Sequence, residues 1–121
     1  MRLILLGLGP ATLDLLPPKN LKVLKAHKKL YFRTARHPIV KELNEQGISF
    51  KAFDHLYQRG QTFEKVYDEI VDIILNKLKE SDEPIVYAVP GHPLVAERTA
   101  AILLEKAKEA KIPTDVLAAP S

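Results

Sequence analysis

At 121 residues, against the ~100–200 of a typical domain, the chain has the length of one domain. Eighteen Lys+Arg against fifteen Asp+Glu leave +3, and 46% hydrophobic with 27% charged residues sits near the globular averages of ~45–50% and ~25%, which excludes a disordered, collagenous or coiled-coil chain. The absence of cysteine excludes a thiolate nucleophile, a disulfide framework and a cysteine zinc site, and is compatible with a reducing cytosol.

In chain order, the first apolar run is Leu3–Leu6. It falls short of the ~7–15 residues of an export signal core and the ~20 of a membrane span. The lysines are interleaved with acids, most densely over Glu105–Glu109, as on a solvated face. The expectation is a cytoplasmic chain with no nucleic-acid or membrane partner.

The first run reads as a strand and leads into Gly7-Leu8-Gly9-Pro10-Ala11-Thr12. Such a loop serves either a tight turn or the close approach of a ligand to the backbone. Thr12 stands where a dinucleotide fingerprint needs its third glycine, and the second strand ends in Arg33 where that fingerprint needs an acid, so no dinucleotide site is expected. Pro17-Pro18 precede a helix over Lys19–Ala26, and Lys29–Arg33 reads as the second strand. The following Arg33-Thr34-Ala35-Arg36-His37-Pro38 either clamps a carboxylate or phosphate of a substrate with Arg33, Arg36 and His37 or covers the sheet end.

Pro38–Gln46 begins with a proline suited to a first helical turn and stops at Gly47, a left-handed C′ residue. After a third strand, Ser49–Phe53, the spacing predicts a helix over Phe63–Lys79 capped by Thr62, with Phe63, Val66, Tyr67, Ile70, Ile73, Ile74 and Leu78 on its apolar face. Ile85–Val89 is the fourth strand. Pro90-Gly91-His92-Pro93 then forms a rigid turn directly before a helix from about Pro93 to Ala110, whose first N–H groups would face an electron-rich ligand atom. His92 is either a residue of that turn or a ligand contact. Ile112-Pro113 turns the chain into a fifth strand, Asp115–Ala118.

Strands alternating with helices predict an α/β fold: three layers, a mostly parallel five-stranded sheet with helices on both faces, and ligands at the carboxyl ends of strands 1, 2 and 4. The four histidines, at 27, 37, 55 and 92, lack metal-ligand spacing, and no G-x-S-x-G elbow occurs. Glu42-x-x-Glu45 and Glu69-x-x-Asp72 resemble the magnesium-binding carboxylates of all-α MazG-type pyrophosphohydrolases. Gly47 and a strand separate the two halves, however, and at ~100° per residue Glu69 and Asp72 turn away from the Val66/Ile70 stripe. No metal site is expected.

Leu5-Leu6-Gly7-Leu8-Gly9-Pro10 at the first strand end and Val86-Tyr87-Ala88-Val89-Pro90-Gly91-His92-Pro93 at the fourth resemble the N-terminal half of the tetrapyrrole methylases, S-adenosylmethionine-dependent methyltransferases that include precorrin methylases and diphthine synthase. Tyr31–Pro38 together with Val89–Thr99 is similar, more specifically, to the methylase-like domain that precedes a MazG domain in certain bacterial fusion proteins. The resemblance implies S-adenosylmethionine bound by Gly7, Gly9, Pro10, Gly91, His92, Pro93 and Val95, and a small-molecule methyl acceptor. It names no catalytic residue. The family's Gly-Pro-Gly is Gly9-Pro10-Ala11 here, which leaves the backbone less free after Pro10, and its Gly-Asp-Pro is Gly91-His92-Pro93, with an imidazole in place of a carboxylate.

The chain stops where the family enters its second domain, so the expectation is one domain over residues 1–121, half of a cleft, inactive alone and dimeric through the face a partner would cover. The alternative is a non-catalytic regulatory or scaffold domain of a MazG-family nucleoside triphosphate pyrophosphohydrolase. A free-standing binder of phosphate at Arg33/Arg36 is a third reading.

Overall fold

Leu3–Gly7 (β1) alternates its side chains between two buried layers. Leu3 and Leu5 point into one apolar cluster, Ile4 and Leu6 into the other, as the two-residue period of an extended chain requires. Ile85–Val89 (β4) repeats the pattern, with Ile85, Tyr87 and Val89 on one side and Val86 and Ala88 on the other. A sheet buried on both faces is the usual home of parallel strands. Residues 1–121 are described by a computed structural model, and all strand pairs in it are parallel.

Three shorter strands complete the sheet: Leu30–Phe32 (β2), Lys51–Ala52 (β3) and Thr114–Leu117 (β5), in the order β3-β2-β4-β1-β5. One face carries Pro18–Ala26 (α1) and Ile39–Glu45 (α2); the other carries Asp54–Tyr57 (α3), Phe63–Glu80 (α4) and Arg98–Glu109 (α5). A three-layer α/β fold with helices on both faces is therefore what these residues build. The chain winds outward through α1 and α2 to β3, then returns through α4 to β4, and passes over β1 through α5 to β5. The direction of winding reverses between β1 and β4, and in parallel sheets the crevice at such a reversal, at the strands' carboxyl ends, is where ligands bind.

Local chemistry sets the helix ends. Thr62 Oγ1 accepts the Lys65 N–H at 3.3 Å and caps α4. At the end of α2, Gly47 takes φ +79° while Ile48 N–H reaches Leu43 O and Gly47 N–H reaches Asn44 O, the paired bonds of a Schellman stop. Lys111 (φ +58°) closes α5 with the same pattern, Ile112 N–H to Ala107 O, although it is not a glycine.

Several expected boundaries move. The strand expected over Ser49–Phe53 pairs only at Lys51–Ala52, because it is a sheet edge and Phe53 turns into the unforeseen α3. The helix expected from Pro93 begins at Arg98, since Ala96 adopts φ +54° and ends any helical run there. His92 therefore does not sit directly before a helix N-terminus. On α4 the buried residues are Val66, Ile70, Val71, Ile74 and Leu78; Phe63 stands out in solvent at 67% exposure, flanked by Tyr67 and Tyr57 with ring centroids 6.3 Å away.

Gly7 and Gly47 are required for different reasons. A Cβ on Gly7 would lie 2.4 Å from the Gly91 carbonyl oxygen, whereas one on Gly47 would meet nothing within 4 Å and only the positive φ opposes it. Gly7→Ala is expected to cost at the upper end of the ~1–3 kcal/mol of overpacking, and Gly47→Ala only about 1 kcal/mol of left-handed strain. Equal losses in urea unfolding would contradict the clash.

Candidate functional site

The β1 and β4 loops meet across the crevice. Gly9 N–H donates to Gly91 O at 3.2 Å and Gly91 N–H donates to Gly9 O at 3.0 Å, a reciprocal antiparallel bridge beyond the ends of two parallel strands. Both glycines hold positive φ, +76° and +65°, which L side chains adopt at a cost. Ala11 is not among the positive-φ residues, so the backbone after Pro10 needs no glycine.

Side chains from three directions brace this bridge. From α1, the Asn20 amide, 1% exposed, donates to Gly7 O at 2.9 Å and to Ala118 O at 3.0 Å, joining the end of β1 to the segment after β5. After β2, His37 Nε2 donates to Gly9 O at 2.7 Å while its Nδ1 accepts the Ile39 N–H at 3.0 Å, so both partners select the neutral Nε2–H tautomer. Residues 118–121 cross above: Ala119 is buried against Gly7, and Ser121 lies 3.4 Å from where a Gly91 Cβ would be. Pro93 is also buried against Gly7, whereas Pro10 and Val95 are exposed.

His92 serves its own turn. Its Nδ1 accepts the Leu94 N–H at 3.0 Å, and its carbonyl accepts the Val95 N–H. The imidazole thus supplies the acceptor that a carboxylate side chain would offer to the same N–H, without the negative charge. Three loop N–H groups, those of Ala11, Thr12 and His92, make no bond within the chain, and Leu94 and Val95 beside them are about half exposed. The two loops therefore carry backbone donors without a partner, and the β4 loop carries exposed apolar residues as well.

Of the residues expected as an anion clamp, His37 belongs to the glycine bridge, while Arg33 and Arg36 line a separate cleft of about 290 Å³ at the carboxyl end of β2. Arg33 Nε lies 3.1 Å from a Glu97 oxygen. Burial works against the arginine's charge, but Glu97 and Tyr57 outweigh it and hold its pKa above the ordinary value. Burial raises the Glu97 pKa, and Arg33 only partly opposes it. Tyr87, buried with its hydroxyl 2.7 Å from Thr99 Oγ1, is pushed well above the phenol range by that burial.

The paired carboxylates have other partners: Glu42 Oε1 accepts the Leu13 N–H at 2.9 Å, and Glu69 pairs with Arg59 at 3.3 Å. No three His, Asp or Glu residues are grouped to hold a metal ion. No helix is long and apolar enough to cross a membrane.

Sequence reasoning missed Asn20, Glu97 and Tyr57. A signal existed for Asn20, a polar residue four before Leu24 on the buried face of α1. None existed for Glu97, whose partner is sixty-four positions away in the chain (97 − 33).

A parallel sheet whose two central strands end in bridged glycine loops, with unbonded N–H groups at the winding reversal, defines a three-layer α/β domain of the doubly wound kind. The chain belongs to the tetrapyrrole (corrin/porphyrin) methylases, whose family pattern matches residues 2–121. It is 36% identical over 115 residues to the uncharacterized protein YabN of Bacillus subtilis (strain 168), a match covering 95% of this chain and 23% of that protein. Among solved structures it is similar to uroporphyrin III C-methyl transferase from Thermus thermophilus (TM-score 0.74, 19% identity, 100% of this chain and 45% of that one). It is similar also to diphthine synthase (TM-score 0.75, 18% identity, 100% and 45%). The Thermus enzyme complexed with S-adenosylhomocysteine gives a TM-score of 0.71 at 18% identity, covering 100% of this chain and 49% of that one. At these identities the likeness is one of fold, and the chain spans about half the length of the structures and under a quarter of YabN.

Two outcomes are expected. Asn20→Asp would set a carboxylate against two buried carbonyl oxygens and should cost more than Asn20→Ala, which leaves both unpaired at ~1–3 kcal/mol; denaturant unfolding of both variants at neutral pH checks the order. A raised carboxyl pKa means that the folded chain holds the Glu97 proton more tightly than the unfolded one. The Glu97 contribution to stability is then largest below the ordinary carboxylate range and declines as pH rises through the raised value. The stability advantage of wild type over Glu97→Gln should therefore shrink with rising pH across that window, and a widening gap would reverse the sign.

Proposed function

We propose that this domain holds S-adenosylmethionine at the β1/β4 crevice, as part of a methyltransferase acting on a small molecule. The observation that carries the reading is the Gly9–Gly91 bridge, which places two left-handed glycines and the free N–H groups of Ala11, Thr12 and His92 at the winding reversal of a tetrapyrrole methylase fold. The donor set fits the group: N–H groups for the carboxylate and adenine acceptors, Leu94 and Val95 for the flat apolar body, and glycines that keep Cβ atoms out of the way.

S-adenosylmethionine supplies a methyl group already activated on a sulfonium, so the reaction asks the protein for alignment and exclusion of water more than for a general base. Gly7 and Gly9 would lie beneath the ligand, Pro10 would limit the loop's freedom at one side, and the Gly91-His92-Pro93 turn with Val95 would form the other. His92 would donate from Nε2–H, its Nδ1 being held by Leu94.

Similar structures are about twice as long, and a second wall, whatever chain supplies it, would complete the site. Exposed Leu15, Leu94 and Val95 offer the surface such a wall, or a second copy of this chain, would cover. Alone the chain would be inactive in methyl transfer, for an open crevice neither aligns an acceptor nor excludes water. A second reading, a regulatory methylase-like domain of a MazG-family pyrophosphohydrolase, draws on His92: an imidazole tied to Leu94 gives a sulfonium no anion to face.

Calorimetric titration with S-adenosylhomocysteine and S-adenosylmethionine separates the two. The cofactor reading expects saturable binding to the wild-type chain, abolished by Gly91→Val. His92→Asp should tighten S-adenosylmethionine severalfold more than S-adenosylhomocysteine, because only the former carries the sulfonium charge. Binding confined to His92→Asp would mark a fold retained as a scaffold, and no binding by either would overturn the cofactor reading.

A further inference from the structure

We propose that the cleft at the carboxyl end of β2 is a separate subsite for one oxyanion group, a carboxylate or phosphate carried by a larger ligand, held by Arg33, Arg36 and the hydroxyl of Tyr57. The first ground is an orphan. Tyr57 Oη, on a residue lining this cleft, is a buried polar atom without an aligned hydrogen-bond partner, and it lies beside the Arg33 guanidinium. Buried donors without partners are rare in folded proteins, and one beside a guanidinium at a cleft wall points to a group that satisfies it. Arg33 Nε, unaligned but 3.1 Å from Glu97, is engaged on the opposite side, which leaves the remaining guanidinium N–H groups for the cleft.

The second ground is the lining. Of Arg33, Thr34, Arg36, Asp54, Tyr57 and Gln58, four keep side-chain donors, the Thr34 hydroxyl being spent on Asp54. The acidic member is turned aside: Asp54 accepts the Thr34 hydroxyl and, at 2.7 Å, the Ala35 N–H. Glu97 lines a different cleft of about 160 Å³, with Tyr67 and Arg98, to which Arg33 also contributes. Arg33 is thus the wall between two cavities, neutralised from one and presenting its guanidinium to the other. Arg36 forms no ion pair, and its loop is shaped by its own N–H donating to Thr34 Oγ1 at 3.0 Å. A planar fork of N–H donors beside a hydroxyl is the arrangement that grips carboxylates and phosphates.

The third ground is size and place. At about 290 Å³ the cleft lies just below the ~300–1,000 Å³ of pockets that enclose a whole ligand, so it suits a substituent. β2 is the direct neighbour of β4, and strands stand ~4.8 Å apart. An anion here lies one to two strand spacings, ~5–10 Å, from the glycine bridge. On the function proposed above, in which the crevice holds a methyl donor, the ligand is a methyl acceptor with an oxyanion at that distance from its reacting atom.

The test is a nuclear magnetic resonance titration of the 121-residue chain with sodium phosphate and, separately, sodium acetate, at ionic strength held constant with sodium chloride. Saturable shifts are expected at Thr34, Ala35, Arg36 and Tyr57, in the millimolar range, with phosphate, acetate or both; saturation by one alone identifies the oxyanion. Arg36→Gln and Tyr57→Phe should each weaken binding about tenfold, equivalent to ~1.4 kcal/mol, with unchanged melting temperature. Neither side chain has an aligned partner whose loss would unfold the chain. Shifts that match chloride alone, or affinities equal in wild type and both variants, overturn the subsite. The same samples titrated with S-adenosylhomocysteine should respond at Gly9, Gly91 and His92. Loss of that response alone sinks the cofactor reading and leaves the anion site, and the converse pattern sinks the anion site alone.

Discussion

The close approach of the β1 and β4 loops is the constraint on which the rest of the structure depends. Parallel strands leave their last carbonyls and amides pointing outward, and ordinarily water or a ligand meets them. Here Gly9 and Gly91 turn to meet each other, which is possible only because Gly7 beneath them has no side chain. The lack of room for a Cβ at Gly7 and the positive φ of Gly9 and Gly91 together explain why three glycines cluster within two loops that are more than eighty residues apart (91 − 7 = 84). The bridge also uses the loops' central amides internally, so the N–H groups left free are those at its margins.

A bridge made of backbone alone would be weak, since one net hydrogen bond stabilises by only ~0.5–1.5 kcal/mol. The surrounding side chains convert it into a rigid frame. Asn20 ties β1 to the segment after β5, and His37 ties the β2 loop to Gly9. Each brace is a polar side chain that is buried or half-buried with its N–H donors satisfied, and such groups are costly to displace. Preorganised backbone donors are what a ligand site requires, because the ordering has been completed before the ligand arrives.

Much of this architecture was legible from residue order, and the reason is the two-residue period. Leu3 to Leu6 and Ile85 to Val89 are apolar throughout, so they had to be buried on both faces and hence parallel. Thr62 and Gly47 marked helix ends through chemistry local to a few residues. What could not be read were pairings across the fold. Arg33 looked like a free cation because Glu97 is remote in the chain, and His37 looked like a ligand contact because its acceptor, a carbonyl, has no signature. The helix expected at Pro93 starts late because Ala96 is left-handed, a state that alanine composition does not announce. The reading of Gly9, Gly91 and their flanking prolines came from a family resemblance, and geometry adds the reason those glycines are needed.

The carboxyl edge of the sheet therefore divides into two environments with different logic. At β1/β4 the groups without a partner are backbone amides, with apolar Leu94 and Val95 exposed on the same loop as His92. At β2 the groups are two guanidinium ions and a phenol, one of the cations paired from behind by Glu97. A buried charge that merely cements a fold is normally met by aligned partners on all its donors, because desolvation otherwise exceeds the Coulombic gain. Arg33 is cemented on one side only. The asymmetry makes sense if Glu97 holds the guanidinium in position, so that it retains donors for a second anion without having to be reordered to meet it.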